Sequence, residues 1–224
     1  MLQHVWERAC QSRYLTSVII GTDDSRVYDI ARNFGAVVRM TRGDHSSGTD
    51  RVAEVASSEN AGIIVNIQGD EPFIDPAAID AAILPLVHDA EIVMATLMKR
   101  IENPREIDDP NVVKVVTDVN GDAIYFSRSP IPFVRDSAAG LPLAPRFKHI
   151  GLYVYRREFL LRYAELPVGP LELAERLEQL RAIENGLRIR VVETEYDSMG
   201  VDTPADLERA AALFAASMTL GVKS

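Results

Sequence analysis

Four short apolar runs, Ser17 to Gly21, Ala36 to Arg39, Ile63 to Gln68 and Ile92 to Leu97, recur with helical patterns between them. No other feature restricts the fold as much. Runs of this length read as strands buried on both faces of a parallel sheet. Asp24 or Ser25 suits the cap of a helix to about Phe34, and Ser47 or Thr49 the cap of one to about Ser58. Pro76 suits the first turn of a helix ending near His88. This βαβα order predicts an α/β single domain over residues 1–224, Rossmann-like, with a mixed, mainly parallel sheet and helices on both faces.

The pattern then changes. Val112 to Thr117 and Ala123 to Arg128 flank Asn120-Gly121 and predict an antiparallel hairpin with a tight primed turn. A proline-rich stretch, Ser129 to Arg146, is too long for a plain connection and reads as a lid or binding loop. After it we expect a strand at His149 to Tyr155, helices at Arg157 to Leu166 and Leu171 to Asn185, a strand at Arg188 to Glu193, and a last helix from Pro204. At the other end, apolar Leu2, Val5, Trp6 and Ala9 have helical spacing, but no capping residue precedes Leu2. Two readings are open there: a helix that frays, or one whose preceding strand lies upstream.

Composition removes several classes of function. The net charge is -9 and no block of lysines or arginines occurs, so nucleic acid and anionic membranes are poor partners. The near-apolar stretch Ala77 to Val87 is interrupted by Asp80 and Pro85 and is shorter than the roughly 20 residues of a membrane span. One cysteine, Cys10, cannot form an internal disulfide, and no signal-peptide pattern opens the chain, so a cytoplasmic location is expected.

Nucleotide-binding glycine fingerprints of the dinucleotide and P-loop kinds are missing. Gln68-Gly69-Asp70-Glu71-Pro72 instead puts a carboxylate at the carboxyl end of an apolar strand, where open α/β sheets bind ligands. The same residues also serve a simple turn. In Gly200-Val201-Asp202-Thr203-Pro204, helix initiation accounts for Thr203 and Pro204 but leaves Asp202 unexplained. Two carboxylates with substrate phosphates commonly hold Mg²⁺, so Asp70 and Asp202 form a candidate pair. Thr41 to Arg51 is a polar loop entering a helix, a candidate anion site or only a cap. His149, Gly151, Tyr153 and Tyr155 share one strand face, which lines a pocket or meets solvent. On the expected helix from Leu171, Glu175, Glu178 and Gln179 fall outside the apolar stripe and are expected in solvent unless a ligand reaches them.

Seven segments carry a resemblance in order along nearly the whole chain: Thr41-Arg42 to Arg51; Val65-Asn66-Ile67-Gln68-Gly69-Asp70-Glu71-Pro72; Asn111-Val112-Val113-Lys114-Val115-Val116; Tyr125-Phe126-Ser127-Arg128; His149-Ile150-Gly151-Leu152-Tyr153; Leu177-Glu178-Gln179-Leu180-Arg181; and Gly200-Val201-Asp202-Thr203-Pro204. Together they resemble the 3-deoxy-manno-octulosonate (KDO) cytidylyltransferases, or CMP-KDO synthetases. The sialic-acid cytidylyltransferases share the plan but not the full set. The resemblance implies a nucleotide-diphospho-sugar transferase fold, a homodimer, and conversion of CTP and KDO to CMP-KDO and pyrophosphate for lipopolysaccharide synthesis. It implies that Asp70 and Asp202 hold Mg²⁺, and that Gln68, His149, Tyr153, Glu178 and Gln179 line the sugar site. The nucleotide would meet the Arg42 to Arg51 loop, including Ser47, Gly48 and Thr49. Arg128 or Arg135 would pair with the sugar carboxylate. Family members also begin with a strand and a basic loop of the form I-P-A-R-x-x-S-x-R-x-P-G-K-P-L, which this sequence does not contain. Little or no turnover is therefore expected of residues 1–224, with unpaired sheet edges where that strand would sit. A non-catalytic nucleotide-binding or dimer-forming remnant, and a transferase for sialic acid or an amino analogue of KDO, are the alternatives.

Overall fold

The computed structural model describes residues 1–45, 47–135, 144–201 and 203–221. Helix α1 (Leu2–Ala9) has no side-chain cap and buries Val5 and Ala9. Then come β1 (Ile19–Thr22), α2 (Ser25–Asn33), β2 (Val37–Met40), α3 (Gly48–Ser57), β3 (Ile63–Asn66), α4 (Pro76–His88) and β4 (Met94–Arg100). The helix starts follow from the expected capping chemistry. Asp24 accepts from the Arg26 amide, Ser47 from the Asp50 amide and Asp75 from the Ala77 amide, each satisfying a first-turn donor the helix cannot pair internally.

A short α5 (Arg105–Asp108) precedes the hairpin β5 (Lys114–Thr117) and β6 (Ala123–Ser127). Its turn differs from the expected primed pair. Gly121 has φ +81°, while Asn120 does not enter the positive-φ region that such a turn needs at both positions. The Asp118 carboxylate instead accepts from the amides of Asn120 and Asp122 and shapes a wider loop. The chain continues through β7 (Phe147–Arg156), α6 (Arg157–Tyr163), α7 (Pro170–Glu175), α8 (Leu180–Glu184), β8 (Arg190–Glu193) and α9 (Pro204–Gly221). One helix was expected over 171–185, but Arg176 at φ 55° caps α7 in the left-handed region and splits it in two.

The mainly parallel sheet needs a qualification. β1 and β2 pair in parallel, as do β4 and β8, but β7 pairs antiparallel with β3, β4 and β5. Strands β3, β4, β5 and β8 therefore run one way, while β7, inserted among them, makes most of the hydrogen-bonded ladders antiparallel. Its two faces feed two cores. Ile150, Leu152 and Val154 pack with Ile79, Ala82 and Leu86 of α4, and Tyr155 packs with Met94, Phe126, Phe159 and Tyr163. Burying side chains of this size contributes on the order of 1.5–3 kcal/mol each.

Among the described residues, β1 and β3 do not pair with each other. Between them lies a cavity of about 400 Å³, lined by Trp6, Ile19, Ile20, Val55, Ile63 and Val65 among others. Residues of both strands line it. Gly21 lets α3 approach β1 closely, since a Cβ there would meet Val55 Cγ2 at 3.0 Å.

Candidate active site

Strand β3 ends at the buried Asn66, and the loop beyond it carries Gln68 and Asp70. That loop is tied to the segment after β8. The Tyr196 hydroxyl donates to Glu71 Oε2 at 2.7 Å, and the Ser198 hydroxyl to Glu71 Oε1 at 2.5 Å. The Val201 amide donates to the Asp70 carbonyl at 3.0 Å. Two distant sequence motifs thus meet at Asp70. Asp202, the residue after Val201, lies outside the described residues. Beyond it, Thr203 Oγ1 accepts from the Asp206 amide while Asp206 accepts from the Thr203 amide, a reciprocal cap for α9.

The N-terminus of α3 faces the break between α7 and α8. Ser47 Oγ donates to Glu178 Oε1 at 3.1 Å, and buried Thr49 lies 3.5 Å from Asn66 Nδ2, whose side-chain oxygen is 3.5 Å from Gln68 Nε2. Exposed Gly48 begins the helix between Ser47 and Thr49. The left-handed Arg176 makes this arrangement by turning the chain so that Glu178 and Gln179 point inward rather than to solvent. Gln179 is buried, correcting the solvated reading, and Tyr163 donates to the Glu178 carbonyl at 2.6 Å. A buried pair, Arg181 with Glu172 at 2.7 Å, anchors α8 to α7.

Burial holds the Glu178 carboxyl above the ordinary glutamate range, against the lowering effect of its hydrogen bonds from Thr49 and Ser47. A raised carboxyl costs stability as pH climbs past the ordinary value and through the raised one. Glu178→Gln is therefore expected to raise the urea midpoint at pH 7 relative to wild type and to leave it nearly unchanged at pH 4. An equal shift at both values would remove the burial argument.

Arg42 is exposed, with Nε 3.6 Å from Glu54 and 3.8 Å from Asp44. Arg51 donates to Thr41 Oγ1 and pairs with Asp23 at 3.0 Å. On β7, His149 and Tyr153 lie side by side, ring centroids 5.4 Å apart, with Phe126 meeting the His149 ring edge-on at 5.0 Å. Tyr155 on the same face belongs to the core instead, at 1% exposure. So the expected polar face is a short two-residue patch beside the sheet's interior.

Gln68 and Asp70 thus lie in the loop after β3, Ser47 and Thr49 at the start of α3, Glu178 at the α7–α8 break, and His149 and Tyr153 on β7. A cytidylyltransferase family profile matches residues 1–189. A 3-deoxy-manno-octulosonate cytidylyltransferase of Solibacter usitatus is 72% identical over 222 residues, 99% of this chain and 87% of that protein. The chain belongs to the 3-deoxy-manno-octulosonate cytidylyltransferases. A relative of the same name from Geobacter sulfurreducens is 55% identical over 93% of this chain and 86% of its own. Among solved structures, CMP:2-keto-3-deoxy-manno-octonic acid synthetase in complex with CTP matches with a TM-score of 0.91 at 43% identity, covering 96% of this chain and 88% of that one. The 4-diphosphocytidyl-2C-methyl-D-erythritol synthase of Anaerococcus prevotii, at 14% identity and a TM-score of 0.61 over 96% of this chain and 88% of its own, shares the fold.

Within this family member, Arg128 is tied to three backbone carbonyls and keeps two guanidinium N–H groups free of them. Its Nε donates to the Glu175 carbonyl at 2.7 Å, Nη1 to the Pro110 carbonyl at 2.9 Å and Nη2 to the Arg176 carbonyl at 3.4 Å. Three of its five donors clamp the hairpin to the α7–α8 break. Arg135 is exposed, at the border of residues 136–143, which lie outside the described residues. Sequence reasoning missed three supports of this cytidylyltransferase site. Glu175 accepts from Ser127 Oγ and the Arg128 amide, Lys114 is wholly buried, and Thr96 bonds His149. A lone hydroxyl within the apolar run Ile92 to Leu97 was the signal available for Thr96.

Proposed function

We propose that this chain activates 3-deoxy-manno-octulosonate with CTP, giving CMP-KDO and pyrophosphate. The observation that carries this reading is the match at 43% identity to a CTP-complexed synthetase of that sugar acid. In the reaction, the anomeric hydroxyl oxygen bonds to the α-phosphorus, the hydroxyl proton is lost, and the bond to pyrophosphate breaks. No covalent enzyme intermediate is needed, so the protein's contribution is positioning and charge neutralisation.

The α3 N-terminus, with Ser47, Gly48 and Thr49, offers amide donors to nucleotide phosphate, flanked by Arg42 and Arg51. Gln68, His149, Tyr153, Glu178 and Gln179 orient the sugar, and Arg128 or Arg135 pairs with its carboxylate. Asp70 fits a hard cation. Its carboxylate oxygens have no side-chain partner among the described residues, and the Val201 amide meets its carbonyl. Asp70 and Asp202 would hold Mg²⁺, which supplies charge neutralisation to the triphosphate. A homodimer, a cytoplasmic location and a role in lipopolysaccharide synthesis belong to the same reading.

Pyrophosphate release tests it, using residues 1–224 preceded by a strand and basic loop of the family form. The extended chain is expected to release pyrophosphate only with CTP, KDO and Mg²⁺ together. No release by a folded extended chain, or a preference for sialic acid over KDO, would overturn the assignment.

A further inference from the structure

β7 departs from regular pairing with β4 at one place. Thr96 pairs with Tyr153 and the next residue, Leu97, with Ile150, so Gly151 and Leu152 form a two-residue bulge opposite a single β4 peptide. Bulged residues lose ladder partners, and their carbonyls need donors from elsewhere. The wholly buried Thr96 supplies one. Its Oγ1 lies 2.8 Å from the Leu152 carbonyl oxygen, 3.2 Å from that of Ile150 and 2.8 Å from His149 Nε2.

A hydroxyl has a single proton and two lone pairs. Carbonyl oxygens only accept, so two of them this close require the proton of Thr96 to point their way. The third contact must then run in the other direction, with His149 Nε2–H donating to Thr96 Oγ1. An imidazole that carries its proton on Nε2 presents a bare lone pair at Nδ1. No described residue occupies Nδ1, and the ring is half-buried rather than sealed. Burial beside Phe126 and Tyr153 lowers the His149 pKa to about 3, which favours the neutral ring.

We propose that Thr96 is a positioning residue that fixes His149 in the neutral Nε2–H tautomer, so that Nδ1 accepts a hydrogen bond from a hydroxyl of the sugar substrate. This rests on the reading that His149 lines the sugar site. His149 then selects for a hydroxyl donor at one place on the sugar and takes no part in binding the carboxylate.

Two measurements on residues 1–224 test it. Long-range ¹H–¹⁵N spectra of histidine-labelled protein at neutral pH, with the His149 signals identified by their loss in His149→Phe, are expected to show protonated Nε2 and bare Nδ1. Thr96→Ser should keep this pattern, and Thr96→Val should shift it toward protonated Nδ1 or an average of both forms. A protonated Nδ1 in the wild type would overturn the proposal, whatever the fate of the variants. In the second measurement, KDO binding should weaken about tenfold in Thr96→Val and recover in Thr96→Ser, the effect of losing one well-formed hydrogen bond. Equal binding by Thr96→Val and wild type overturns the positioning role. Absence of KDO binding by wild type, with the expected tautomer present, counts against the sugar-site reading and leaves the Thr96–His149 geometry standing.

Discussion

Asp70→Asn is expected to reduce Mg²⁺-dependent pyrophosphate release by about a hundredfold or more in the extended chain, the scale of losing one electrostatic stabiliser of a charged transition state. The substitution keeps the side chain's shape and removes its charge. It also leaves intact the backbone contact from the Val201 amide to the Asp70 carbonyl, and the anchoring of the 196–198 segment on Glu71. A loss of rate without a loss of fold is therefore the expected pattern. Asp202→Asn should act in the same way. Wild-type rates in either variant would remove the carboxylate-pair assignment.

Lys114→Met should destabilise the fold by about 3–5 kcal/mol, read as a lowered urea midpoint at unchanged slope. Lys114 is fully buried, and its Nζ donates to the carbonyls of Asp109, Val112 and Arg128 at 2.8, 2.6 and 2.6 Å. Burial lowers its pKa, with the nearby carboxylates of Asp109, Asp108 and Glu175 opposing that shift. Methionine matches the length of the stem but takes the donor away from the carbonyls of Val112 and Arg128, while that of Asp109 keeps only the Val112 amide at 3.2 Å. For a domain whose whole stability is typically about 5–15 kcal/mol, that is a large fraction. The lysine ties the start of β5 to the end of β6, and Arg128 carries the tie onward to the α7–α8 break beside Glu178. A loss below about 1 kcal/mol would mean that solvent reaches these carbonyls in the variant.

These two residues were legible in the sequence to different degrees. Asp70 follows an apolar strand within a Gly-Asp-Glu-Pro turn, so local pattern alone made it a candidate. Lys114 stands alone among the valines of Val112 to Val116, and the local pattern gives it no partner. Only the fold, by setting the 109–112 turn and the end of β6 around its ammonium, gives it a buried purpose. The same contrast applies to Glu178 and Gln179. Helical periodicity placed them on a polar face of one long helix, but a left-handed residue at Arg176 breaks that helix and turns them inward. Arginine is not a residue whose sequence context announces positive φ.

What the amino-acid sequence determined by itself was local and periodic: most of the strand and helix order, helix starts at Asp24, Ser47 and Pro76, and the motifs that mark the cytidylyltransferase family. Short-range sterics and hydrogen bonding fix such features within a few residues. The tertiary structure decided the rest. It placed β7 antiparallel among strands that run the other way, and tied Arg128 to three backbone carbonyls from distant segments. It also brought Val201 to Asp70 and set Thr96 against His149, 53 positions apart in the chain. Each of these depends on which distant groups remain unsatisfied once the sheet has formed, and a buried carbonyl or imidazole takes its partner from across the fold.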